Sequence, residues 1–183
     1  GERVAIMKAS EIDYQAVFQA FPGVVALFTP DVAYADVNQE LLEVTGRTRD
    51  QVVDRYLFDA FPDNPTDPSV TGVRDVYASV RRVFTTGQRD SLPLLRCDVE
   101  RPDRPGDWEE RYWSPVNVPV FGPDGRTVEL VLLRVEEVTE LIRDRGRREG
   151  GGRATVLEAE LYTRARELQE VNERLRRAHA RER

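Results

Sequence analysis

Along the first two thirds of the chain the apolar residues change period several times, and each change marks an element. From Glu11 to Phe21, Ile12, Tyr14, Val17, Phe18 and Phe21 fall at helical spacing; Ser10 stands where an N-cap would, and Pro22-Gly23 stops the run. The segments Val24–Thr29 and Val32–Val37 are rich in valine and aromatics and flank Pro30-Asp31, which predicts a hairpin. After Asn38, helical spacing returns at Leu41, Leu42 and Val44 and ends at Gly46, and Thr48 with Gln51 forms a capping box for another short helix. Prolines break the stretch from Phe61, but Asp67 and Pro68 suit the N-cap and first turn of a longer helix. Its apolar stripe is Val70, Val73, Val76, Tyr77, Val80, Val83 and Phe84, and Gly87 closes it.

Strand-like patterns follow at Ser91–Glu100, Trp108–Phe121 and Thr127–Val135, with Gly122-Pro123-Asp124-Gly125 as a hairpin turn. Pro115 and Pro119 predict a bulge or an edge position in the middle strand, because proline donates nothing to a ladder. In the last strand Val128, Leu130 and Leu132 share one face and Val131, Leu133 and Val135 the other, so both faces need cover. The sum is an α+β class: a five-stranded antiparallel sheet with short helices over one face.

Beyond Glu137 a helix is expected to about Arg148, where Gly150-Gly151-Gly152 forms a joint, and Arg153–Arg183 resumes as a second helix. There Leu157, Leu161, Leu168, Val171, Leu175 and Ala178 alternate in steps of three and four, with Arg164 the polar member, which predicts a coiled-coil seam between two copies of the chain. The expected layout is an N-terminal segment (1–10), one core domain (11–142), a glycine-containing linker (143–152) and a coiled-coil output helix (153–183). The heptad pattern stops unfinished at Arg183, as a piece of a longer protein would.

Composition narrows the function classes. The 183 residues leave room for one core, and no apolar run approaches the roughly 18 residues of a membrane span. A lone cysteine, Cys97, rules out an internal disulfide or a multi-cysteine metal cluster and fits a cytoplasmic protein. The net charge of −6 is spread over mixed-sign segments. Eight arginines in the tail are interleaved with six glutamates, the pattern of a coiled-coil surface, so no nucleic-acid partner is expected.

Two segments carry a family resemblance. Ala35-Asp-Val-Asn38-Gln-Glu-Leu-Leu-Glu-Val-Thr-Gly46, followed by Val53-Asp-Arg-Tyr-Leu-Phe58-Asp-Ala-Phe61-Pro, resembles the central signature of PAS sensor domains. Val135-Glu-Glu137-Val-Thr139-Glu140 resembles that family's Asp-Ile-Thr exit motif, with Glu137 in place of the aspartate. Together these cover Ile12 to Glu140. The resemblance implies a non-enzymatic sensor that dimerises and passes a conformational change through Asn38, Glu137 and Thr139 to a downstream domain. The tail most resembles the connectors ahead of bacterial histidine kinases or metal-dependent serine/threonine phosphatases of the sporulation type.

Candidate chemistry is sparse. Flavin photosensors of this family place a reactive cysteine in an Asn-Cys-Arg helix motif, whereas Cys97 falls in a predicted strand between Arg96 and Asp98. Haem needs an axial ligand, and the one histidine, His179, lies in the tail without the flanking residues of a phosphoacceptor. Flavin and haem are thus disfavoured, and the cofactor is unknown. Phe28, Tyr34, Leu42, Phe58, Val80, Phe84, Leu94 and Leu130 are candidates to line a small-molecule pocket, with plain core as the alternative. Arg96, Arg111 and Arg134, on adjacent predicted strands, are anion-binding candidates, against salt bridges on a sheet face. Asp63, Asp67, Glu109 and Glu110 read as capping and solvated residues before an acid–base or metal cluster. The leading function is a sensory module; the alternatives are a ligand-free dimerisation scaffold and, behind it, a small hydrolase.

Overall fold

The computed structural model describes residues 6–139 together with 143, 144, 168, 171, 174, 175 and 178. A 3-10 turn at Ala9–Glu11 precedes α1 (Tyr14–Ala20), which leads into the hairpin of β1 (Val24–Phe28) and β2 (Tyr34–Val37). Four helices follow: α2 (Gln39–Thr45), α3 (Arg49–Val52), α4 (Leu57–Ala60) and α5 (Gly72–Thr86). The chain then returns to strand in β3 (Asp90–Ser91), β4 (Leu95–Arg96), β5 (Val99–Glu100), β6 (Trp108–Glu109), β7 (Tyr112–Phe121) and β8 (Val128–Glu137). The main sheet is antiparallel in the order β2-β1-β8-β7-β3, with β4 continuing along β7 past β3; β5 and β6 pair separately. The sheet is therefore five strands wide, and α2 and α5 pack on one face of it.

Local chemistry accounts for most boundaries. Thr48 and Gln51 form their capping box on α3, and Gly46 and Gly87 end α2 and α5 in the left-handed conformation at φ 67° and 65°. Val80 and Val83 are sealed beneath α5, each contributing ~1.5–3 kcal/mol by burial.

Several expectations are corrected. Asp13, not Ser10, caps α1, and its Oδ1 accepts from Ala16 N at 3.1 Å. The stripe of Ile12, Tyr14, Val17 and Phe21 stays exposed. The longer helix starts at Gly72; Asp67 instead accepts from Ser69 N and closes a separate turn ahead of it. α4 has no counterpart among the elements the pattern predicts. The expected strand 91–100 is cut into β3, β4 and β5, with Leu92-Pro93-Leu94 forming the first break.

The prolines of β7 sit neither at an edge nor in a bulge of their own strand. β7 pairs with β8 along its whole length. Its other side meets β3 in the register Asp90↔Asn117 and β4 in the register Leu95↔Trp113, one residue out of step, so the irregularity lies in the partner opposite Pro115. Pro115 O accepts from Leu92 N at 3.1 Å, and the position opposite Pro119 lies beyond the end of β3.

The inward set of β8, Val131, Leu133 and Val135, is buried against the helices. The expected outward set is split, because a register shift between Val120 and Phe121 turns Val128 toward the core. Leu130 and Leu132 remain half-buried on the opposite face beside Val118 and Val120.

The hairpin is joined to the helical layer by Asn38, which is fully buried. Its Oδ1 accepts from Val25 N at 3.1 Å and from Leu41 N at 3.2 Å, capping α2; its Nδ2 donates to Phe21 O at 3.2 Å and Gly23 O at 2.6 Å. Asn38→Ala strands these backbone groups in an apolar interior and is expected to lower unfolding stability by about 3 kcal/mol in a denaturant titration; a loss under about 1 kcal/mol contradicts this role. In the β7–β8 turn, Asp124 accepts from Thr127 Oγ1, Thr127 N and Arg126 N, which holds its carboxyl down at about 2, below the ordinary 3.8. A depressed folded-state value stabilises above the unfolded one, so protection of the Arg126 and Thr127 amides from exchange should be full above about pH 4 and fall toward pH 2. Protection that stays constant across that window speaks against it.

Candidate ligand cavity and exit junction

Between the inner sheet face and the helices lies a cavity of about 90 Å³. Val24, Trp113, Pro115, Leu133 and Val135 form its sheet wall; Leu41 and Thr45 come from α2, Leu57 from α4, and Val73 and Val76 from α5. Tyr34, Phe61 and the Cys97-Asp98-Val99 segment complete the lining.

Backbone geometry sets two of these walls. Tyr34 is gripped on its free strand edge, its N donating to Arg55 O at 2.9 Å and its O accepting from Asp54 N at 2.8 Å, with Asp54 at φ 63°. Its ring packs on Phe28 and Phe61 at centroid distances of 4.6 and 5.9 Å. At the start of α5 a Cβ on Gly72 would lie 2.3 Å from both Arg96 O and Cys97 Sγ, so only glycine lets α5 approach this closely. Cys97 lies in the link between β4 and β5, not in a strand as expected. Its N donates to Arg111 O at 3.0 Å, and Trp113 Nε1 donates to its O at 3.4 Å.

The electrostatic centre of the site is Asp98, whose side chain is 2% exposed. Arg96 Nε donates to Oδ1 at 2.9 Å and Arg96 Nη2 to Oδ2 at 3.1 Å, a forked pair, and Asn64 Nδ2 adds a bond of 2.8 Å. Arg96 also approaches Asp67 at 3.6 Å and Glu110 at 3.7 Å. Burial, followed by the negative charge of Asp75, Asp63 and Asp98, pushes the Cys97 thiol up to about 12.

Glu110 leads to the C-terminal end of the domain. It accepts from the Tyr112 hydroxyl, which burial and that bond raise to about 12. Tyr112 N donates to Thr139 Oγ1 at 3.0 Å, and Val138 N donates back to Tyr112 O at 3.0 Å. Thr139 is fully buried, and beyond it Arg143 Nη2 donates to Glu110 O at 3.3 Å. Both Thr139 and Arg143 are helical.

Among the eight candidate pocket residues, Tyr34 lines the cavity. Phe28, Leu42 and Val80 are core, Phe58 and Phe84 half-buried beside it, Leu94 buried in the β3–β4 break, and Leu130 on the opposite sheet face. The arginines are not brought together. Arg96 is held by Asp98 and Arg111 bonds Glu109 at 3.1 Å, while Arg134 is exposed opposite Val116, four residues along β7 from the Tyr112 rung of Arg96. The acidic residues are spread among arginines, Asp63 on Arg74 at 3.0 Å and Glu109 on Arg111 and Arg143. Among the described residues no three His, Cys, Asp or Glu side chains could hold a metal ion, and no helix is long and apolar enough to cross a membrane. Leu168, Val171, Leu175 and Ala178 are helical and exposed. Leu157, Leu161, Gly150–Gly152, His179 and the Glu137 side chain lie outside the described residues.

A family model described as the PAS fold matches residues 18–143. The chain belongs to the PAS fold family. This PAS domain has no match among curated protein sequences. In solved structures it is similar to the PAS domain of Bordetella pertussis BvgS, with 16% identity and a TM-score of 0.52 over 75% of this chain and 94% of that one. The PAS domain of a Colwellia psychrerythraea protein matches at 11% identity and a TM-score of 0.51, over 69% and 95%. Vibrio cholerae VqmA, solved as a complex with ligand and DNA, matches at 17% identity and a TM-score of 0.52, over 75% of this chain and 58% of that one. The chain thus spans little more than half of the VqmA chain, and the likeness concerns the fold alone. With a DNA-bound protein among these neighbours, the PAS fold gives no ground for excluding a nucleic-acid partner; the argument against one rests on the charge pattern of the sequence and of its tail.

Residues missed by the sequence reading, Asp98 and Trp113 above all, alternate with neighbours of opposite polarity, and only the cavity's position separates them from ordinary strand residues. The raised Cys97 thiol should be alkylated by iodoacetamide at pH 8 at least about a hundredfold more slowly in the folded chain than after denaturation. Equal rates would show the thiol to be open.

Proposed function

We propose that this PAS domain is a non-catalytic sensory module: a small molecule enters the cavity, and its presence is passed to the helix that leaves the domain after β8. One observation carries the reading. Asp98 lines the cavity and holds Arg96, Arg96 reaches Glu110, and Glu110 and Tyr112 contact Arg143 and Thr139 at the exit. A ligand that presses on Asp98 acts on both ends of that chain, provided the two states differ in affinity for it.

The exposed, helical Leu168, Val171 and Leu175, at spacings of three and four, support pairing with a second copy, so the module is read as a homodimer. Its target is a downstream histidine kinase or serine/threonine phosphatase domain, its compartment is the cytoplasm and its cofactor is open. The same exposed seam favours a second reading, a ligand-free dimerisation scaffold. Native mass and an ultraviolet–visible spectrum of the purified protein separate the two, since bound mass or a chromophore belongs only to a sensor.

The relay is tested by filling the cavity from within. Val99→Met enlarges a half-buried lining residue and should change hydrogen exchange of the Tyr112 and Val138 amides by about tenfold, with the β1–β2 amides unaffected. In an Arg96→Gln background that change should vanish. Unaltered exchange at Tyr112 and Val138 in Val99→Met would refute the relay.

A further inference from the structure

The cavity wall restricts what can enter it. Its lining is aliphatic and aromatic, and most polar groups within it are already engaged. Thr45 Oγ1 donates to Leu41 O at 2.7 Å, the Trp113 indole donates to Cys97 O, and the Asp98 carboxylate takes both the Arg96 fork and Asn64. Tyr34 differs. It is 5% exposed, it lines the cavity, and among the described residues no hydrogen bond involves its hydroxyl. Its oxygen is not one of the sealed, unpartnered side-chain atoms among the described residues, so it keeps accessible surface, where a ligand acceptor would take the place of water. Burial and the adjacent Cys97 keep this phenol protonated, so it is a donor at any physiological pH.

We propose, building on the sensory reading above, that the cavity takes a small, neutral, largely apolar molecule with a single hydrogen-bond acceptor, and that this acceptor receives the Tyr34 hydroxyl. A charged ligand is excluded from either side. An anion would lie against Asp98 in an apolar wall, and a cation would find Asp98 already neutralised by Arg96. Size sets a further limit. A cavity of roughly 150 Å³ admits the six heavy atoms of benzene, so about 90 Å³ suits a ligand of about four, and a ring of five or six needs the wall to yield. The half-buried Phe61, Val76 and Val99 are the lining residues best able to yield to a larger one.

The test titrates the full 183-residue chain with cyclopentanone, cyclopentane and butyrate, following the Trp113 indole N–H by NMR. Cyclopentanone should half-saturate at about a tenfold lower concentration than cyclopentane, and butyrate should not bind. Tyr34→Phe, shown folded by its thermal transition, should bring the ketone to the level of the hydrocarbon, whereas Leu130→Val, on the opposite sheet face, should leave the preference intact. Val99→Met should weaken both neutral probes. Equal binding of ketone and hydrocarbon, a preference that survives Tyr34→Phe or is lost in Leu130→Val, or binding of butyrate overturns the proposed ligand class. In each of those cases neutral binding that Val99→Met still weakens leaves the sensory reading standing. If no probe shifts Trp113, the sensory reading falls and the ligand class with it.

Discussion

A carboxylate held against an apolar cavity survives only if its charge is met, and around Asp98 that requirement organises a large part of the domain. Arg96 supplies the charge from two residues away in sequence, and Asn64 reaches in from the loop ahead of α5. Because the guanidinium has donors to spare, the same residue also faces Asp67 and Glu110, tying the helical layer to the start of β7. Gly72 makes this possible by letting α5 lie against Arg96 O and Cys97 Sγ at a distance no side chain would tolerate. Removing one partner of such a buried pair leaves an uncompensated charge, so the group is strongly constrained even if its net stabilisation is small.

Much of the fold was legible because its signals are local. Capping at Thr48, the glycine stops at Gly46 and Gly87, the α5 stripe and the Gly122–Gly125 turn all act within a few residues, and all stand where their chemistry places them. The departures in the sheet originate in partners distant along the chain, whereas the cap of α1 is a local choice between neighbours. Pro115 looked incompatible with a central strand because the sequence does not reveal that β3 breaks off opposite it. Ser10 and Asp13 are both competent caps, and the structure uses the second.

The site was less legible than the fold. An apolar residue contributes to a cavity or to solid core according to packing gaps of a few ångströms, and periodicity carries no record of those gaps. Tyr34 stands among the pocket candidates on the same footing as the other aromatic and aliphatic positions, and only packing sets it apart as a lining residue. Phe28 and Val80, apolar throughout, fill space instead. Arg96 stands out by its charge, but its partner, Asp98, reads as an ordinary alternating strand residue, whereas it lies in the β4–β5 link with its side chain buried.

The two margins of the sheet bear on how the domain meets other molecules. On one side Asp54–Leu57 lies along β2, with Tyr34 bonded to Arg55 and Asp54 and Leu57 N bonded to Val32 O. On the other, β3 and β4 are two-residue pieces out of step by one residue. Among the described residues neither margin offers an incoming chain a continuous row of free amides and carbonyls, which works against growth by strand addition, the route to fibrillar assembly. Association is left to side-chain surfaces, which can be reversible in a way that a shared backbone ladder is not.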